Sequence, residues 1–163
     1  MARREGVVEF GLQKWQQALY EMGGPEVENL KSRFVRSAGL RLLEHLDDYT
    51  PVRTGRLKGS MSMGDRDNIF QLQVGKVSYV FVGTAVPYAQ YVNDGFTQRA
   101  GQFVPGFWRS GTFHYDPNHD DGMVLTGKVI PGAHMFEKAL DDLENDIPKL
   151  LDYEFRRLYQ RLF

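Results

Sequence analysis

The sequence contains no cysteine. Disulfides and thiolate metal sites are therefore excluded, and a reducing compartment suits the chain without being required. Long hydrophobic runs are also missing. Nothing approaches the ~18 consecutive apolar residues of a membrane-spanning helix. The opening MARREGVVEFG has charges but no apolar stretch of signal-peptide length, so we expect a soluble chain made in the cytosol. An excess of one charge sign is absent too. The 20 Lys and Arg face 21 Asp and Glu, a net charge of −1 that argues against a dedicated nucleic-acid binder. The glycines form neither GxGxxG nor a Walker A loop, and no serine sits in GxSxG.

What remains is a chain of 163 residues, 42% hydrophobic and 25% charged, enough for one domain with a sizeable core. Val8, Leu12, Trp15, Leu19 and Met22 recur at helical steps, and MGGPE should stop that helix. A second helix is expected from Pro25 to Asp48, with Val27, Leu30, Phe34, Ala38, Leu42 and Leu46 on one face. Tyr49-Thr50-Pro51 ends it, because a residue before proline avoids helical geometry. Leu57 to Met63 reads as a strand. NIFQLQVGKVSYVFVGT then alternates, giving two strands with a tight turn near Gly75 and Lys76. Val80 to Val82 is apolar in succession, which predicts a strand covered on both sides.

PYAQYVNDG reads as a short helix opened by Pro87 and ended by Gly95, with Tyr88 and Tyr91 packing one face. From Thr97 to Asp121 the chain is rich in Gly, Pro, Asn, Asp and aromatics. It is a long excursion with a hairpin expected around Phe107 to Tyr115. GMVLTGKVIPG suits a last strand. From residue 133 onward Phe136, Leu140, Leu143, Ile147, Leu151, Phe155, Leu158 and Leu162 form one helix face, with Pro148 predicting a kink or break.

Catalytic chemistry finds little support. HYDPNHDD matches neither HExxH nor a calcium loop, and its residue types are ordinary turn material. A metal-dependent hydrolase using His114 and His119 is the outside reading. Arg53, Arg56 and Lys58 surround Gly55 and read as a solvated corner or a protein contact rather than a DNA contact. The aromatics of the excursion are more informative. Phe96, Phe103, Phe107, Trp108, Phe113 and Tyr115 read either as a small cluster under a loop or as a surface buried on assembly, with Phe103, Phe107, Trp108 and Phe113 as its anchors.

Two motifs carry a family resemblance. The first is T-P-V-x-T-G-x-L-x-x-S, here Thr50, Pro51, Val52, Thr54, Gly55, Leu57 and Ser60. The second is V-G-T-x-x-x-Y-A-x-Y-V-x-x-G, here Val82, Gly83, Thr84, Tyr88, Ala89, Tyr91, Val92 and Gly95. With the long C-terminal helix after PGAHMFEKAL, the chain resembles the lambdoid-phage gene-product-ten family of neck and tail-completion proteins. It departs from that pattern in its long N-terminal helix and in the insertion from Thr97 to Asp121.

The resemblance implies a virion structural protein with no catalysis and no cofactor. It implies a homo-oligomeric ring, a hexamer or dodecamer, at the head–tail junction or the top of the tail. Its neighbours would be connector and tail-tube proteins, and DNA would pass through without specific binding. A tail terminator capping the tube is the close alternative. Both motifs read as fold-making devices. Gly55 supplies a positive φ at the corner, Thr50 and Thr54 bond free backbone groups, Leu57 points inward, and Gly83 and Pro87 turn a strand into the short helix. The expected fold is a single α+β domain over residues 1–163. Long N- and C-terminal helices pack on a small, mainly antiparallel sheet with a short inter-strand helix.

Overall fold

A computed structural model describes residues 13–53 and 55–162. The order is α1 (Gln13–Tyr49), α2 (Arg56–Gly59), β1 (Asn68–Gln73), β2 (Tyr79–Thr84), α3 (Ala89–Asp94), β3 (Gly95–Thr97), β4 (Phe103–Arg109), β5 (Thr112–Tyr115), β6 (Gly122–Val124), β7 (Val129–Pro131) and α4 (Met135–Leu162). This is the expected α+β fold, with long helices at both ends and a short helix between strands. Its strands form three small antiparallel sheets, ordered β1-β2, β3-β7 and β5-β4-β6, rather than one.

α1 and α4 form an antiparallel helical hairpin. Polar pairs along the seam run in opposite senses: Arg161 with Glu26, Arg33 with Glu154, His45 with Asp146, and Tyr49 with Asp142. Between them Phe34 and Ala38 of α1 pack with Leu143 and Ile147 of α4. A second cluster gathers Leu46, Leu57, Met61, Val86, Ala89, Met135 and Ala139. Leu42 touches both clusters and joins them. Val27, Leu30, Phe34, Ala38 and Leu46 of α1 and Leu143, Ile147 and Leu158 of α4 are buried on the faces that the periodicity assigns them, because burying that stripe is what stabilises an amphipathic helix; at the start of α4 it is Met135 and Ala139, not Phe136 and Leu140, that are fully buried.

The other side of α1 receives the β1-β2 sheet. A Cβ at Gly39 would stand 2.9 Å from the Phe70 ring and 3.0 Å from Val80, so the glycine lets the sheet close onto the helix. Val80 and Val82 face inward, whereas Tyr79 and Phe81 are exposed and meet edge to face at 5.2 Å. The expectation of a strand covered on both sides is corrected: one face of this sheet is open.

Two further expectations are overturned, and a third is narrowed. MGGPE does not stop the first helix; α1 runs through Pro25. Gly24 takes φ +29° in open space and absorbs the distortion that the proline imposes. The N-terminal part of that expected helix, up to Leu12, lies outside the described residues. Of the kink or break expected at Pro148, the break does not occur: α4 runs through it and meets α1 on both sides, through Leu143 and Ile147 before it and Glu154 after it. Leu57 to Met63 is not a strand but the short helix α2 and a turn. Leu57 and Met61 are both buried, and their spacing of four is helical.

The seam between the long helices also holds charge. Glu154 is 2% exposed and accepts a hydrogen bond from Arg33 Nε at 2.7 Å. Arg33 Nη2 is buried there without a partner. Asp146 lies 3.0 Å from His45 Nε2 and 3.1 Å from Arg41. The hydrogen bond with His45 holds the Asp146 carboxyl below the usual carboxylate range, despite opposing desolvation. The Tyr49 hydroxyl donates to Asp142 at 2.6 Å, which pushes its pKa up.

Candidate assembly interface

The excursion folds as a β-arm. Its stem is β3 against β7, with Phe96 opposite Ile130. Beyond the stem, Gln98 N–H donates to Lys128 at 3.0 Å, and Leu125 exchanges backbone bonds with Gly101 and Gln102, each at 2.9 Å. The head is β4, flanked by β5 and β6. β4 turns into β5 at Ser110-Gly111, both left-handed with φ 50° and 76°, which is the two-residue hairpin connection matching strand twist. The expected hairpin around Phe107 to Tyr115 is therefore present. GMVLTGKVIPG contributes two strands, β6 and β7, to two different sheets, instead of one.

Residues opposite each other in an antiparallel pair share a face. Phe107 pairs with His114, and their rings stack at 5.4 Å; His119 lies against the same Phe107 ring at 5.4 Å. Phe103 belongs to this face, its ring lying over Gly122, where an added Cβ would come within 2.6 Å of it. Trp108 pairs with Phe113 on the other face, edge to face at 5.4 Å. Phe113 covers Gly106 in the same way, 2.7 Å from an added Cβ. The glycines thus give the rings places to lie flat along the sheet.

This ribbon joins neither buried cluster of the body. Trp108 is 63% exposed, Phe103 52% and Phe107 38%, with Phe113 half-buried. Apolar side chains therefore stand open on both faces. The four residues singled out as candidate anchors, Phe103, Phe107, Trp108 and Phe113, come together on one three-stranded unit.

The two sequence motifs meet in the body. The Ser60 hydroxyl lies 2.8 Å from Thr84 Oγ1, and Thr84 Oγ1 accepts the Val86 N–H at 3.0 Å. Asn68 donates to the Ser60 carbonyl at 2.9 Å. Thr50 is buried; its hydroxyl donates to the Leu46 carbonyl and lies 3.5 Å from Met135 Sδ. Pro51 follows the end of α1, Gly55 has φ 77°, and Leu57 is buried. Gly83 is buried in β2, and Gly95 ends α3 at φ 75°. Thr54 lies outside the described residues. Arg56 and Lys58 are paired within the chain, to Asp67 at 3.1 Å and Asp47 at 3.0 Å.

Tyr88 and Tyr91 do not pack inward as expected; they are 36% and 61% exposed. Ala89 and Asn93 are the buried residues of α3. Asn93 escaped sequence reasoning, since a lone polar residue in VNDG reads as turn material. Its side chain reaches α4, where Oδ1 accepts the Phe136 N–H at 3.0 Å and Nδ2 donates to Glu137 at 3.1 Å. Among the described residues no three His, Asp or Glu side chains gather as a metal-holding group. His114 and His119 instead flank the Phe107 ring.

A helical hairpin carrying a β-arm with exposed aromatic side chains on both faces defines an α+β protein. Phage-like element PBSX protein XkdI of Bacillus subtilis (strain 168) is 31% identical over 158 residues, spanning 93% of this chain and 98% of XkdI. Uncharacterized protein YqbI of the same strain is 32% identical over 141 residues, spanning 80% of this chain and 84% of YqbI. The chain belongs to the XkdI family and is phage-related. No protein-family model matches it, and no solved structure gives a significant match.

Proposed function

We propose that this chain is a structural component of a phage-type particle, forming a ring at the head–tail junction or the top of the tail and completing or joining the tail. The observation that carries the reading is the β-arm, with Phe103 and Phe107 open on one face and Trp108 on the other. Aromatic side chains in such numbers are the usual anchors of protein interfaces. Membership of a family with a named phage-element protein agrees with it, as does the resemblance of the two motifs to those of neck and tail-completion proteins. Neighbouring copies contact each other head to tail, a heterologous arrangement that closes by rotation. The chain acts mechanically, without catalysis or cofactor, and connector and tail-tube proteins are its other neighbours.

The test is removal of the gene from a producing phage or phage-like element, followed by electron microscopy of the particles. Normal tails that fail to join heads support the neck or completion role. Tails of uncontrolled length identify a terminator instead. Complete, infectious or otherwise functional particles in normal yield overturn both.

A further inference from the structure

The arm leaves the body at Gly95 and returns at Pro131, so both ends pass one point beside α3 and the start of α4. The backbones approach closely there. A Cβ on Gly95 would stand 2.4 Å from the Ile130 carbonyl oxygen, and one on Gly132 2.2 Å from the Asn93 carbonyl oxygen. Two main-chain bonds follow: Ala133 N–H to Val92 O at 2.8 Å and His134 N–H to Asn93 O at 3.0 Å.

We propose that Asn93 is a latch fixing the root of the arm to the first turn of α4, so that the arm is presented at a set angle before any partner is met. The residue is 7% exposed, and every polar group of its side chain is engaged across the junction. Oδ1 accepts the Phe136 N–H at 3.0 Å, supplying from 43 positions away a partner that the start of a helix lacks. Nδ2 donates to Glu137 Oε2 at 3.1 Å and to Asp94 Oδ1 at 2.8 Å. A carboxamide alone meets this demand, because the site asks for one acceptor and a donor facing two carboxylates. The main-chain carbonyl of the same residue holds His134. One residue therefore ties α3, at the point where the arm departs, to the returning segment at His134 and to the first turn of α4. The latch stands independently of what the arm binds.

Amide hydrogen exchange on the free chain tests it, comparing wild type with Asn93→Ala and Glu137→Ala. In N93A the amides of Ala133, His134, Phe136 and the β3-β7 stem should exchange about tenfold faster or more, equivalent to an opening made easier by about 1.4 kcal/mol. The amides of the β4-β5 ladder and of mid-α1 should keep their rates. E137A, at an exposed position, should accelerate the same root amides to a smaller extent, and it decides the matter if N93A does not fold. Acceleration at Phe136 alone would reduce Asn93 to a helix cap and overturn the latch. Uniform acceleration through the whole chain, or none at the stem, would overturn it as well.

Discussion

The side-chain oxygen of Asn93 accepts the main-chain N–H of Phe136 at 3.0 Å, joining the short helix between strands to the start of the last helix. The same side chain donates to the carboxylates of Asp94 and Glu137. Its chemistry makes the junction sensitive to the exchange of one heavy atom, the amide nitrogen for an oxygen. Asn93→Asp keeps the shape and the acceptor but sets a third carboxylate against two others. The expected loss near neutral pH is about 1–3 kcal/mol, the penalty for a buried polar group without its partner. Urea denaturation of N93D and wild type checks this.

Glu154 and Arg33 form a buried interhelical pair, and breaking one side leaves the other charge uncompensated. Glu154→Ala is expected to destabilise by about 3 kcal/mol, whereas the double change Arg33→Met with Glu154→Leu should cost far less. A double-mutant cycle measured by chemical denaturation separates the two results.

Ser60 and Thr84 link the two motifs through hydroxyls 2.8 Å apart. Ser60→Ala and Thr84→Val should each cost about 1 kcal/mol, and the double variant less than their sum. Additive costs would show that the hydroxyls do not interact.

Trp108 is exposed, so Trp108→Ala should leave the melting temperature of the free chain within a degree or two, on the order of ±0.5 kcal/mol. If the arm is an assembly surface, the same change should weaken association by about 2 kcal/mol or more. Incorporation of W108A chains into particles, compared with wild type, reads the second effect.

The Asp146 carboxyl titrates below the ordinary aspartate range, held down chiefly by the hydrogen bond with His45. The unfolded chain therefore binds the proton more readily than the folded one. Stability from this group is present above the unfolded pKa and is lost as the pH falls through the lower folded value. Asp146→Asn should flatten the acid limb of a stability–pH profile. The Tyr49 hydroxyl has the opposite sign: its pKa is raised by the bond to Asp142, so its contribution is present below pH 10.0 and is lost as the pH climbs through the folded value. Tyr49→Phe should flatten the alkaline limb.

The long helices were legible because their apolar stripes keep step over many turns. Val27 to Leu46 and Leu143 to Leu158 are where the periodicity places them. Alternation likewise marked β1 and β2. Reading failed where one residue could absorb a local signal. Gly24 takes the strain at Pro25, so a strong stop signal is overridden by a helix already committed to packing further along. In LKGSM the spacing of Leu57 and Met61 is helical, but the surrounding small residues mimic alternation. Helical spacing put Tyr88 and Tyr91 on one face of the short helix, whereas the face that meets the body carries Ala89 and Asn93. The need for the carboxamide of Asn93 was invisible, for it arises from Phe136 and Glu137, more than forty positions later. The candidate anchors were legible as a cluster in sequence; their division between two faces depends on strand register.

The Ser110-Gly111 turn lies at the far end of the arm from Gly95 and Gly132, and a Cβ added at Gly111 would meet nothing within 4 Å. The root has no space for even one extra methyl group, while the tip borders open solvent. A peptide tag or reporter grafted into the tip should therefore be tolerated by the body, making it the natural place to label this subunit for locating it inside a whole particle.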